Sequence, residues 1–240
     1  MNMYANAEGS TIFLERGSRG ILPCPPIATG KVAIVERDAV YWYFRQVESR
    51  SLLISYFRGT VAPRNGIQVG VYDINRNSAL VIENVTDATE GVYFFVFKPK
   101  LRRAEEGNVT VAVKVSPKEP FPNVTECSQR ISESKCEALI PFDTLQPILT
   151  CVMRNVKPAV ALRWLYVNNN GKTELITDDF AVQHLMLSQD EKNQDWFWIN
   201  NTFTTSASIP ISASCVYDTK YICEAYGDAL GDTNGSQLTV

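Results

Sequence analysis

Two cysteines, a tryptophan and a tyrosine in the second half limit what this chain can fold into. Leu149-Thr150-Cys151 comes first, then Leu162-Arg163-Trp164, then Lys220-Tyr221-Ile222-Cys223. Each residue sits in a short apolar run, and a period of two puts Leu162, Trp164 and Tyr166 on one side of a strand. Strand signals run the whole length of the 240 residues. Short runs rich in Val, Ile, Tyr, Phe and Thr alternate with Gly, Asn, Asp and Pro clusters. No segment sustains a helical apolar stripe. Many short strands at regular spacing indicate a sandwich or barrel. The strand ending at Val115 runs into Ser116-Pro117-Lys118-Glu119-Pro120-Phe121-Pro122. Proline cannot donate to a strand ladder, so the domain boundary is expected at about Pro117 to Pro122.

A cysteine, a tryptophan and a Tyr-x-Cys in that order resemble the core of the immunoglobulin sandwich. There a disulfide staples two sheets about 10 Å apart, the indole covers it, and the tyrosine ties the corner before strand F. The resemblance implies a Cys151–Cys223 disulfide with Trp164 and Tyr221 in the core. The first half repeats the pattern with one member replaced. Leu22-Pro23-Cys24 and Tyr41-Trp42-Tyr43-Phe44 supply the cysteine and the tryptophan. Gly91-Val92-Tyr93-Phe94-Phe95 then places Phe95 where the second cysteine would stand. This predicts no inter-sheet disulfide in the first domain. Cys24 becomes a buried thiol, and Phe95 fills the core beside Trp42 and Tyr93. Thr89 replaces the acidic member of the usual Arg–Asp pair, leaving Arg64 and Asp87 as candidates for a shifted one.

The stretch Leu52 to Phe97 resembles the amino-terminal domains of carcinoembryonic-antigen-related and lymphocyte adhesion molecules. The run Asn155-Val156-Lys157-Pro158-Ala159-Val160-Ala161-Leu162-Arg163-Trp164 and Cys223-Glu224-Ala225-Tyr226-Gly227 resemble lancelet variable-plus-constant receptors. The expected fold is all-β, two tandem immunoglobulin-like antiparallel β-sandwiches. Residues 1–117 would be variable-type and residues 118–240 constant-type. Function implied by the resemblance is that of a cell-surface adhesion or immune-type receptor. A joining-segment Phe-Gly-x-Gly is absent before Val109, so receptor-gene rearrangement gets no support. Cys127, Cys136 and Cys215 remain, an odd number. Cys136–Cys215 would tie the first strand to the E–F connection, and Cys127–Cys136 would close a local loop. Spacing does not choose between them; the reading leans to Cys136–Cys215. An unpaired Cys127 would then be an interchain bridge or a free thiol.

Compartment follows from sequons. Asn84, Asn108, Asn123, Asn200 and Asn234 each begin an N-x-S/T triplet, which together point to glycosylation in the secretory pathway, where disulfides also form. Met1 to Gly9 has no apolar core of a signal peptide, and both ends read as cut. An extracellular, cell-surface ectodomain without its membrane anchor is expected.

The expected binding surface comes from alternation. With Trp42 and Phe44 inward on strand C (Val40–Arg45), Tyr41, Tyr43 and Arg45 point outward. With Tyr93, Phe95 and Phe97 inward on strand F (Val92–Phe97), Val92, Phe94 and Val96 point outward. A solvated antiparallel face should be polar, whereas aromatic anchors with Arg mark contact sites. Strand C′ would extend the face through Leu52, Ile54 and Tyr56 or through Leu53, Ser55 and Phe57. The F–G connection carries Arg102, Arg103 and Glu105. Its switch from basic to acidic suits a self-complementary two-fold contact.

The chain lacks the phosphate loop, the G-x-S-x-G elbow and the H-E-x-x-H zinc motif, and it has one histidine. Neither catalysis, a cofactor nor a metal is expected. A net charge of -3 gives no argument for nucleic acid. The expected partner is a second copy or a related immunoglobulin-family receptor, bound through the C–C′–F–G face. Recognition of microbial glycans or cell-wall components is the alternative, with Trp196-Phe197-Trp198 as a minor stacking candidate.

Overall fold

Period-two strands fill both halves of the chain. The computed structural model describes residues 11–28, 38–100, 102–139, 147–168, 170–177, 182–186, 201–211, 220–231 and 236–240. It divides into two units, residues 1–113 and 114–240.

The first unit contains β1 (Thr11–Glu15), β2 (Gly20–Leu22), a single helical turn α1 (Pro25–Ala28), β3 (Ala39–Phe44), β4 (Leu52–Phe57) and β5 (Thr60–Pro63). It continues with β6 (Tyr72–Ile74), β7 (Leu80–Ile82), β8 (Gly91–Lys98) and β9 (Glu105–Lys114). One sheet runs in the order β1-β9-β8-β3-β4-β5 and the other β2-β7-β6. Two extra strands beside the central three are the mark of the variable-type immunoglobulin sandwich. Strand β5 follows β4 through Arg58 and Gly59, both at positive φ, as a two-residue hairpin turn requires. The run Ile67–Asp73 reads as a strand in sequence, yet the strand begins only at Tyr72. Gly66 and Gly70, both at positive φ, break the extended backbone before it.

Between these sheets lies a core built on Trp42. Its indole donates to Ser78 O at 3.2 Å. Phe95 stands directly opposite Trp42 on the neighbouring strand, with ring centroids 5.7 Å apart. Across the sheet on its other side Phe95 meets Gly107. A Cβ there would lie 2.6 Å from the Phe95 ring, so the phenyl group uses space that only glycine leaves open. The Tyr93 hydroxyl donates to Thr89 O at 2.8 Å, which closes the tyrosine corner. The shifted ion pair forms differently from the Arg64–Asp87 expectation. Arg16 donates to Asp87 at 2.8 Å, while Arg64 Nε donates to Ser55 Oγ at 3.1 Å. Arg16 directly follows the first strand, beside the turn that holds Asp87, a neighbourhood invisible in linear order.

The second unit contains β10 (Asn123–Val124), β11 (Cys127–Ser132), β12 (Lys135–Ala138), β13 (Ile148–Val156), β14 (Ala161–Val167) and β15 (Thr173–Thr177). Then come β16 (Val182–Met186), β17 (Thr202–Pro210), β18 (Lys220–Tyr226) and β19 (Ser236–Thr239). Its sheets run β10-β13-β17-β16 and β11-β12-β19-β18-β14-β15. Relative to the seven-strand constant-type pattern it adds β15 beside β14, and a hairpin of β11 and β12 at the other edge. Cys151 and Cys223 form a disulfide. Trp164 stands opposite Cys223 and donates to Ala207 O at 3.0 Å. Trp164 to Cys223 and Trp42 to Phe95 are therefore the same cross-strand pairing in two cores, with sulfur in one and a phenyl ring in the other. Tyr221 packs against the edge of the second core.

The expected Cys136–Cys215 pair is corrected. Cys136 bonds Cys127, and Cys215 lies outside the described residues. The hairpin is the reason: β11 and β12 pair antiparallel, which brings the two Cα atoms to 5.8 Å, inside disulfide range. Cys127 is thus not available for an interchain bridge.

Candidate functional site

The six-stranded sheet of the first unit turns one face to the core and the other outward. On β9, Val109, Val111 and Val113 are buried, so Glu106, Asn108 and Thr110 take the outer face by alternation. The register sorts this face into three rows. Tyr41, Val96 and Glu106 form one; Tyr43, Phe94 and Asn108 the second; Val92 and Thr110, with Arg45 beyond the end of β3, the third. Arg45 donates its backbone N–H to Val92 O at 2.8 Å.

Tyr41, Tyr43, Val92 and Phe94 are half-buried on this face, and Arg45 is exposed. Val96, expected to be exposed, is 5% exposed. It lies on a central strand between Tyr41 and Glu106, and a valine flanked by longer side chains in an inner strand loses its solvent. Partial burial raises the pKa of the Tyr43 hydroxyl, with Tyr41 and Glu106 adding to the rise. Lys98 Nζ sits 5.3 Å from the Tyr41 ring centre, and the Arg45 guanidinium 4.9 Å from that of Phe44, both in cation–π range. Of the two alternatives for C′, Ile54 and Tyr56 pack in the core while Ser55 and Phe57 share the outer side. Leu52 lies opposite Tyr43, and the irregularity between Trp42 and Tyr43 in this pairing leaves Leu53 buried as well.

Glu105 is corrected. It pairs with the buried Phe97 and so lies on the core side; Glu106 is the acidic residue of the outer face. The one-residue difference was accessible by counting back from Val109, Val111 and Val113 in steps of two. Arg102 and Arg103 are exposed in the connection between β8 and β9. Among the sequons, Asn84 is exposed just after β7 of the opposite sheet, and Asn123 is exposed on β10 of the second unit. Asn108 lies within the outer face itself. Asn200, Asn234 and Trp196-Phe197-Trp198 lie outside the described residues.

Cys24 is a free, fully buried thiol. Burial pushes its pKa up from 9.0 to about 12, with Glu105 adding to the rise and a backbone hydrogen bond from Ile27 opposing it. A raised thiol pKa means that the folded state favours the neutral form. The stability gained is complete below the ordinary value near 9 and is lost as pH rises toward about 12. Urea midpoints between pH 8 and pH 11 should therefore fall more steeply for the native chain than for Cys24→Ala. Equal slopes would show that the thiol is not held in this environment.

No protein-family model matches the sequence, and no curated protein matches it. Among solved structures the chain is similar to the CD2-binding domain of CD58, at 11% identity over 96% of this chain and 94% of that one, with a TM-score of 0.51. It is also similar to murine CEACAM1b, at 17% identity over 95% and 91%, TM-score 0.47. A further similarity is to an amphioxus IgVJ-C2 molecule, at 13% identity over 95% and 98%, TM-score 0.40. Strand order, paired cores and the likeness to CD58 agree: the chain is two immunoglobulin-type β-sandwiches in tandem.

Proposed function

We propose that this chain is the ectodomain of a secreted or cell-surface immunoglobulin-type receptor. It acts as a binding module, not an enzyme, and its first sandwich engages a second copy or a related receptor through the outer face of β3, β4, β8 and β9. One observation carries the reading. Tyr41, Tyr43, Val92 and Phe94 share the outer side of an antiparallel sheet, a side that solvent would keep polar. Arg45 stands at one end and Glu106 with Lys98 toward the other, so an apolar centre has charge at its rim. Under a two-fold contact centred near Phe94, Arg45 of each copy would face Glu106 of the other. The disulfides Cys127–Cys136 and Cys151–Cys223 suit an oxidising, extracytoplasmic compartment. CD58, of the same fold, is described as CD2-binding. Protein recognition is thus one use of this fold, and the patch supplies the argument for it here.

Phe94→Arg tests the reading. Its side chain is half-buried on the outer face, so the variant should fold. Sedimentation of the unglycosylated chain at micromolar concentration should show a dimer for the native sequence and a monomer for the variant. An added charge in an apolar contact typically weakens it by tenfold or more, about 1.4 kcal/mol for each factor of ten. A native chain that stays monomeric sinks the self-association reading. Retained binding to cell-wall glycans by both forms would then favour pattern recognition.

A further inference from the structure

The sequon Asn108-Val109-Thr110 falls in the middle of the face just described. Val109 is buried, which turns Asn108 and Thr110 outward by the period of two. Asn108 stands directly opposite Phe94, and Phe94 directly opposite Tyr43 on its other side. Side chains in such cross-strand positions have Cβ atoms about 4.5–5.5 Å apart. A sugar on the Asn108 carboxamide would begin within reach of the Phe94 ring. Pyranose rings carry C–H groups on one face, and an aromatic face is an apolar platform for them. The exposed sequons differ in this respect: Asn84 follows β7 in the opposite sheet, and Asn123 belongs to the second unit.

We propose that Asn108 is N-glycosylated and that the first sugar lies over Phe94, so that the chain's own glycan closes the docking face. The closing of a docking site rests on the function proposed above; the sugar–Phe94 contact stands apart from it. In the modification, the Asn108 nitrogen bonds to C1 of the first N-acetylglucosamine of a lipid-linked oligosaccharide. The lipid pyrophosphate leaves, and the nitrogen gives up one proton. Only molecules bare at Asn108 then expose Tyr43, Phe94 and Val92 together. Self-association is set by site occupancy, and the apolar patch is covered in the glycosylated form without a partner.

The test uses the full chain secreted from a glycosylating eukaryotic host, with Thr110→Ala and Asn108→Gln as two independent ways to remove the sugar. Peptide mass should show Asn108 occupied. Sedimentation should show the glycosylated chain associating at least about tenfold more weakly than either variant. Loss of the sugar should lower the melting temperature of the first unit when Phe94 is present and leave it unchanged in Phe94→Ala, since a contact shows itself as non-additivity. An unoccupied Asn108, or equal melting shifts in both backgrounds, overturns the glycan cap. Association unaffected by the sugar overturns the gating. Monomeric sugar-free variants, with the coupling to Phe94 retained, overturn the docking reading and leave the cap standing.

Discussion

Phe95→Ala lowers the stability of the first sandwich by about 3–5 kcal/mol, the usual cost of emptying a buried phenyl site. Phe95 is 2% exposed, lies against Trp42 and occupies the place of a cross-sheet cysteine. No covalent bond joins the sheets there, because Cys24 is free, so the apolar core holds them together. Domains of this size are stable by roughly 5–15 kcal/mol, and the loss takes a large fraction of that. Hydrogen exchange read by mass spectrometry separates the two units. Amides of β3 and β8 should exchange far faster in the variant, while those of β14 and β18 stay protected. Gly107→Ala attacks the same contact from the other side. Its Cβ would meet the ring at 2.6 Å, and overpacking of this kind costs about 1–3 kcal/mol. Combined, the two substitutions should cost less than their sum, because the new methyl group enters space that the phenyl ring has left. Strict additivity would mean that the ring does not use the room above Gly107.

Reduction should unfold the second sandwich and spare the first. Cys151 and Cys223 are 72 residues apart in sequence, and opening a loop of that length returns about 4 kcal/mol of chain entropy to the unfolded state. The Cys127–Cys136 bridge spans 9 and contributes less by the same logarithm. Trp164, opposite Cys223, would lose its packed neighbour as the strands part. In a strong reductant, exchange should rise across β13, β14, β17 and β18 and remain unchanged in β3, β8 and β9. An intact second unit after full reduction, or equal loss in both, would overturn this division of labour between covalent and apolar cores.

The inside–outside order of the central strands was legible in the sequence. Tyr41 to Phe44 and Val92 to Phe97 alternate, and a period of two survives any tertiary arrangement that buries one side of a strand. Phe95 was legible too, since Gly91 and Tyr93 mark its place in the pattern. Other features were not legible. The strand expected over Ile67–Asp73 is cut short by glycines whose positive φ is a property of the folded turn. The closure of Cys127 on Cys136 depends on a hairpin that the polar run between them did not announce. The burial of Val96 depends on which side chains flank it across the strands.

Sequence alone therefore determined the class of fold, the two cores and the absence of a cysteine opposite Trp42, because these depend on residue type and short-range spacing. Tertiary structure alone decided that Cys136 bonds Cys127, that Arg16 rather than Arg64 holds Asp87, and that Asn108 stands beside Phe94. Each of these is a statement about register between segments distant along the chain or about a turn. A shift of one residue in either reverses every side chain that follows.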